Sequence, residues 1–168
     1  MTQQQHVLIC ALYELSCILK CLNTSASILV NDDIKMVDRI LACLMHPNIA
    51  VKCVSAWCLR TLAYSLPAMM TPLLDNCMDR LSLIRNSSDA LVGYGYACAA
   101  LLGAIHACPL GVPHLKPKLA FNIGEELLRT ASQSNNIQVA LHKTSTGRYR
   151  EYYKWILKYI KSMITFED

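Results

Sequence analysis

One helix ends and another begins within Leu44-Met45-His46-Pro47-Asn48-Ile49-Ala50-Val51-Lys52-Cys53-Val54-Ser55-Ala56-Trp57-Cys58-Leu59. Proline at the first helical position removes no hydrogen bond, because that N–H has no partner inside the helix, so Pro47 is predicted to open the second helix. Apolar residues then recur at the spacing of a single helical face, at Val51, Val54, Cys58 and Leu62. The stretch therefore predicts a tight corner between two packed helices.

Five more helices are predicted around this corner, from apolar stripes and from the turn-forming residues between them. With the helix at about 48–65, they cover about 4–22, 34–45, 67–84, 89–107 and 114–131. Polar runs at Asn31-Asp32-Asp33 and Asn86-Ser87-Ser88-Asp89 are predicted caps. The inward residues are predicted to be Ile34, Val37, Leu41 and Leu44 in the second helix and Ala120, Ile123, Leu127 and Ala131 in the sixth.

Two features of these helices predict close packing. The fifth helix carries small residues, among them Gly93 and Gly103, which weaken a helix unless another backbone packs closely against it. Trp57 lies at helical spacing from the apolar stripe and is predicted to lie in the core.

The helices repeat along the chain as pairs. The first helices of successive pairs start near Gln4, Asn48 and Asp89, a period of about 40–45 residues that is typical of HEAT or armadillo arrays. The predicted fold is all-α, an α-α superhelix of about three helix pairs plus a C-terminal helix. Residues 1–147 are predicted to form the repeat segment and 148–168 a basic, aromatic, amphipathic helix. Because the first helix lacks a polar outer face, we expect a piece of a longer array.

Composition narrows the classes of protein. The 168 residues are 54% hydrophobic and 17% charged, with a net charge of +4. Five of the 16 Lys and Arg residues lie at 148–161, so residues 1–147 lack the excess of positive charge that is typical of nucleic-acid binding. Nine cysteines, an odd number scattered over apolar helices, predict reduced thiols rather than a disulfide framework. The N-terminus lacks a basic signal-peptide region, and the longest apolar run, Ala97 to Ile105, is too short to span a bilayer. Any membrane contact is expected to be peripheral.

Several clusters occur in an order that resembles the very large HEAT-repeat-containing protein 5 family over about residues 4–147. They are Ala56-Trp57-Cys58-Leu59-Arg60, Leu66-Pro67, Thr71-Pro72-Leu73-Leu74-Asp75, Ala99-Ala100-Leu101-Leu102-Gly103-Ala104 and Cys108-Pro109-Leu110-Gly111-Val112-Pro113-His114. The resemblance implies a cytoplasmic scaffold that works with the clathrin adaptor complex and with aftiphilin and gamma-synergin. It implies a peripheral location at the trans-Golgi network, endosomes or clathrin-coated vesicles. The implied processes are endocytosis, retrograde endosome-to-Golgi transport and protein localisation.

The tail at 148–168 departs from the family pattern. Its basic and aromatic side chains are candidates for membrane or partner contact: Arg148, Arg150, Lys154, Trp155, Lys158 and Lys161. An amphipathic helix of this kind binds anionic membrane surfaces. The alternatives are a terminal helix that packs its apolar face on the repeats, and a nucleic-acid contact.

Catalytic motifs are lacking. The sequence has no Gly-x-Ser-x-Gly elbow, Walker-type loop or His-Glu-x-x-His motif, so we predict no enzyme, cofactor or small-molecule substrate. His6 with Cys10, and Cys17 with Cys21, have the four-residue spacing of helical metal ligands, but the two pairs are too far apart to share one ion. His46, His106 and His114 are interpreted as corner residues. Besides the trafficking scaffold, a helical-repeat binder of the nuclear-transport or phosphatase-scaffold type remains open.

Overall fold

The structure, a computed structural model, describes residues 2–30, 34–84, 87–105 and 115–133. Its α-helices there are α1 Gln3–Leu22, α2 Met36–Cys43, α3 Ile49–Ser65, α4 Met70–Leu83, α5 Ser88–Leu102 and α6 Leu115–Gln133. A 3₁₀ segment, Asn23–Val30, follows α1, and a 3₁₀ turn, Pro67–Met69, leads into α4. All regular structure in these ranges is helical, which confirms the all-α prediction.

The chain divides into two compact units, Met1–Val112 and Pro113–Asp168. The first contains α1 to α5 and the second contains α6. On α6, Gly124 is buried while Ala120 and Ile123 are half-buried, and the side chains of Leu127 and Ala131 lie outside the description. The predicted boundary between residues 147 and 148 also lies outside the described residues.

Helices α1 and α3 lie side by side and run in the same direction. Near their starts, the Asn48 amide donates to Gln5 Oε1 at 3.2 Å. Near their ends, the Ser65 hydroxyl donates to the Leu19 carbonyl at 2.8 Å. Because each contact joins like ends of the two helices, α1 and α3 are parallel.

Helices α3 and α5 repeat this arrangement. Lys52 pairs with Asp89 in the first turns, and Arg60 donates to the Gly103 carbonyl just beyond the end of α5. The residues joined across α1–α3 are 43 and 46 positions apart, and those across α3–α5 are 37 and 43 apart. Alternate helices of the first unit therefore stack in parallel, at a separation close to the predicted period.

The core of the first unit surrounds α3. In the predicted α3 stripe, Val51, Cys58 and Leu62 are fully buried and Val54 is half-buried, which agrees with the prediction. Burial extends along both flanks of this stripe, because α1, α2, α4 and α5 all contact α3, whereas the side opposite the stripe is exposed at Cys53, Trp57 and Tyr64. Other large, fully buried side chains of this core are Leu19, Leu44, Leu59, Met70, Leu74 and Leu101.

The start and inward face of α2 differ from the prediction. The helix begins at Met36, after Lys35 at a left-handed φ of 48°, so Ile34 lies outside it and is exposed. Met36 and Ile40 are buried beside the predicted Leu41 and Leu44, and the predicted Val37 is half-buried. The predicted cap at 31–33 lies outside the described residues.

The corner after α2 is also corrected in detail. Asn48, not Pro47, ends the turn: it is the N-cap of α3, and its Oδ1 accepts from the Ala50 N–H at 2.8 Å. An asparagine side chain supplies an acceptor for an otherwise unpaired helical N–H, which proline lacks. Pro47 therefore precedes the cap. Pro67, by contrast, starts the 3₁₀ turn before α4 as expected.

The predicted close backbone approach on α5 is present at Gly93. A β-carbon built there would lie 2.6 Å from the carbonyl carbon of Leu44 and 3.1 Å from its Cα. Ser87 caps α5 by accepting from the Ala90 N–H at 3.3 Å. The helix ends at Leu102 rather than near residue 107, because the chain turns at Gly103.

The helical stretch Gln3–Val30, which includes α1, is long and apolar enough to cross a bilayer, although none of its continuous apolar runs is. Within Gln3–Val30, one window reaches a mean hydropathy of 1.5, which meets the criterion for apolarity, and the helical stretch meets the criterion for length. Glu14 and Lys20 interrupt its apolar residues, so a search for continuous runs misses it. Core helices and signal sequences satisfy the same criteria, so length and composition alone assign no span. In this structure α1 packs on α3.

Candidate interaction surface

Trp57 lies on the surface, contrary to the prediction that it belongs to the core. It is 44% exposed. The Lys20 ammonium lies 5.5 Å from the centre of its ring and the Arg60 guanidinium 5.3 Å. Cations at this range from an indole are attracted by the negative potential of the ring face. The indole is therefore held at the surface by one cation from α1 and one from its own helix.

Arg60 connects this indole to α5. Its Nη2 donates to the Tyr64 hydroxyl at 3.1 Å and to the Gly103 carbonyl at 3.3 Å, and its guanidinium lies 5.4 Å from the centre of the Tyr64 ring. The Nε atom is buried without a hydrogen-bond partner in the described part of the chain. The guanidinium is thus fixed in position while part of its donor capacity is unused.

We call Lys20, Trp57, Arg60 and Tyr64 the cationic-aromatic patch. Among the described residues, neither of its cations pairs with a carboxylate, since the ion pair found there joins Lys52 and Asp89. The patch therefore presents two positive charges beside two aromatic rings. The i, i+3, i+7 spacing of Trp57, Arg60 and Tyr64 could have revealed a shared helical face, but not the contribution of Lys20 from another helix.

The Lys52–Asp89 ion pair is a structural contact. Its Nζ and Oδ1 atoms are 2.5 Å apart. The Lys52 side chain is only 3% exposed, whereas that of Asp89 is 54% exposed. Asp89 lies in the first turn of α5, where the helix dipole favours an acidic group. The pair links the starts of α3 and α5 and lies apart from the patch in sequence and position along α3.

The cysteines divide between core and surface, although all were expected on apolar faces. Cys58, Cys77 and Cys98 are buried, whereas Cys10, Cys21 and Cys53 are exposed; Cys108 lies outside the described residues. Burial raises the pKa of the Cys58 thiol. A hydrogen bond with Cys77, together with burial, holds the pKa of Cys98 well above its ordinary value. These two thiols are protonated at neutral pH and are weak nucleophiles and metal ligands.

The candidate metal ligands of α1 do not converge. His6 and Cys10 are both exposed, and the described ranges contain no group of three or more His, Cys, Asp or Glu side chains that could hold an ion. His46 lies at the α2–α3 corner, where its Nδ1 accepts from the Asn48 N–H at 3.0 Å. His106 and His114 lie outside the described residues.

The predicted contact residues of the tail, Arg148, Arg150, Lys154, Trp155, Lys158 and Lys161, also lie outside the described residues. Their part in membrane or partner contact stays a prediction.

Searches with models of known protein families and among solved structures found no match to this chain.

Proposed function

We propose that this chain is a non-catalytic scaffold segment in clathrin-adaptor-dependent membrane traffic between the trans-Golgi network and endosomes. The observation that supports a scaffold is the parallel stacking of α1, α3 and α5, with contacts between residues 37 to 46 positions apart. Stacked repeats of this kind form solenoids, whose extended surfaces bind other proteins. We infer that α1 to α5 belong to such a HEAT-like superhelix.

The trafficking role rests on the resemblance to the HEAT-repeat-containing protein 5 family. Two of the clusters that carry it have identifiable structural roles: Trp57 and Arg60 form the exposed patch, and Gly103 accepts the Arg60 hydrogen bond. The proposed partners are the clathrin adaptor complex and accessory proteins of the aftiphilin and gamma-synergin type. The proposed location is cytoplasmic and peripheral, at the trans-Golgi network, endosomes or clathrin-coated vesicles.

Affinity capture tests this proposal. The tagged 168-residue chain is incubated with cytosol, and bound clathrin-adaptor subunits and aftiphilin are measured by quantitative mass spectrometry. A variant with Arg148, Arg150 and Lys154 changed to Gln controls for non-specific binding by the basic tail. Enrichment of the adaptor by both proteins supports the proposal. Enrichment of phosphatase or nuclear-transport subunits without adaptor, from a folded sample, contradicts it.

A further inference from the structure

We propose that the cationic-aromatic patch binds an acidic peptide segment of a partner protein. Carboxylates of the peptide face Lys20 and Arg60, and an aromatic or aliphatic side chain of the peptide packs on Trp57. This inference rests on the proposed scaffold function for its biological use and names the class of partner. The chemistry of the patch does not depend on the trafficking role.

Charge complementarity is the first argument. Lys20 and Arg60 approach the same indole, at 5.5 and 5.3 Å, and neither pairs with a carboxylate within the described part of the chain. Both hydrogen bonds of Arg60 use Nη2 and its Nε is buried, so Nη1 is the nitrogen left to donate to a peptide carboxylate. The contacts with Tyr64 and Gly103 hold it in place before a ligand arrives. Less side-chain freedom is then lost on binding.

The exposed aromatic surface is the second argument. Trp57 and Tyr64 are 44% and 36% exposed, although both are large enough to be core residues. Tryptophan, tyrosine and arginine are the residue types that dominate the energy of protein interfaces. The patch combines all three within about two turns of α3, with Lys20 added from α1. It exists only where α1, α3 and α5 are stacked.

The small number of cations favours a peptide over other anionic partners. Recognition of acidic membranes typically uses clusters of about four to eight Lys or Arg residues. Tight nucleic-acid binding likewise takes about six to ten phosphate contacts. The patch has two cations, which match two carboxylates of a short peptide.

The test is fluorescence anisotropy with the full 168-residue chain. The probe is a fluorescein-labelled 12-residue peptide of Asp, Glu, Gly and Ser with one central Phe. A second peptide replaces its acids by Asn and Gln, and a third replaces Phe by Ser. We expect the first peptide to bind most tightly and its affinity to fall as NaCl is raised from 50 to 500 mM, because exposed charge pairs are screened by salt.

Substitutions then locate the binding site. Trp57→Ala is expected to weaken binding about 30-fold, as for a central aromatic contact. Lys20→Gln and Arg60→Gln are each expected to weaken it about three- to fivefold, as for exposed ion pairs. Arg39→Gln, which removes an exposed charge from α2, is the matched control and is expected to leave affinity unchanged. The tail variant Arg148→Gln/Arg150→Gln/Lys154→Gln is also expected to bind normally.

The outcomes separate the alternatives. Equal affinity in Lys20→Gln and Arg39→Gln overturns the proposal; Lys20 is exposed, so this comparison stands even if Trp57→Ala unfolds. Binding lost only in the tail variant also overturns it. The proposal is also overturned if the chain does not bind the peptide but binds, through Trp57, vesicles with 30% phosphatidylserine or a 12-nucleotide single strand. Loss of adaptor capture with intact peptide binding would instead contradict only the trafficking role.

Discussion

Gly93→Ala tests whether the close approach of α5 to Leu44 determines the packing of the first unit. The added β-carbon would lie 2.6 Å from the Leu44 carbonyl carbon, whereas carbon atoms in contact are about 3.5–4.0 Å apart. The Leu44 carbonyl oxygen lies closer still, and because the obstacle is backbone no side-chain rotation relieves it, so α5 has to move away by more than about 1 Å. We expect overpacking to destabilise the fold by about 3 kcal/mol, at the upper end of the usual range.

Helix propensity acts in the opposite direction. Alanine is favoured over glycine inside a helix by about 1 kcal/mol, so the net loss is expected to be about 2 kcal/mol. The matched control is Gly103→Ala, at the end of the same helix. There φ is −67°, which alanine adopts readily, and the nearest atom is the Ala99 carbonyl oxygen at 3.3 Å. We expect the control to lose less stability than Gly93→Ala, because a 3.3 Å contact needs a shift of only a few tenths of an ångström.

The assay is urea unfolding followed by circular dichroism at 222 nm, with reductant present. The free energies of unfolding of both variants are compared with that of the native chain. If Gly93→Ala is as stable as the native chain, or more stable, the reasoning about the Leu44 contact is refuted. A larger loss in Gly103→Ala than in Gly93→Ala would refute it as well.

Three further predictions concern individual contacts. Asp89→Asn is expected to destabilise the fold by about 2 kcal/mol in urea unfolding, because the nearly buried Lys52 ammonium loses its carboxylate. Lys52→Met is expected to destabilise it by less than about 1 kcal/mol, because the Asp89 carboxylate stays hydrated. A larger loss in Lys52→Met than in Asp89→Asn would contradict the asymmetry of the pair. Asn48→Ala is expected to cost about 1 kcal/mol by removing the α3 cap, and an unchanged thermal midpoint would exclude that role. The raised pKa of Cys98 means that, as pH rises past its ordinary value, the unfolded thiol loses its proton while the folded thiol keeps it, so stability falls. Between pH 9 and about 10, Cys98→Ala is therefore expected to lose less stability than the native chain; an identical decline in the variant would disprove the linkage.

Most helices of the described chain could be predicted from sequence because each leaves a local signal. The sequence predicts α3 at about 48–65, and the helix spans Ile49–Ser65, since its apolar stripe and polar start are both local. The start of α2 is predicted less accurately. Its start depends on Lys35 in a left-handed conformation, which no sequence pattern of lysine indicates.

The candidate surface was only partly visible in the sequence. Its size and spacing predict that Trp57 lies in the core, yet it is exposed. Helical periodicity identifies one buried face, but α3 is surrounded by several helices, and they decide which sector stays open. Lys20 lies 37 positions before Trp57, so no local pattern joins them.

Local signals in the sequence predict the helical class, the approximate bounds of the helices and the separation of about 40 residues between parallel neighbours, because apolar periodicity and helix ends are encoded within a few turns of chain. Only packing between helices determines which side of α3 stays open to solvent and which backbone Gly93 contacts. Stacking of α1, α3 and α5 brings together residues about 40 positions apart, and that long-range packing places Lys20 and Arg60 on the same indole.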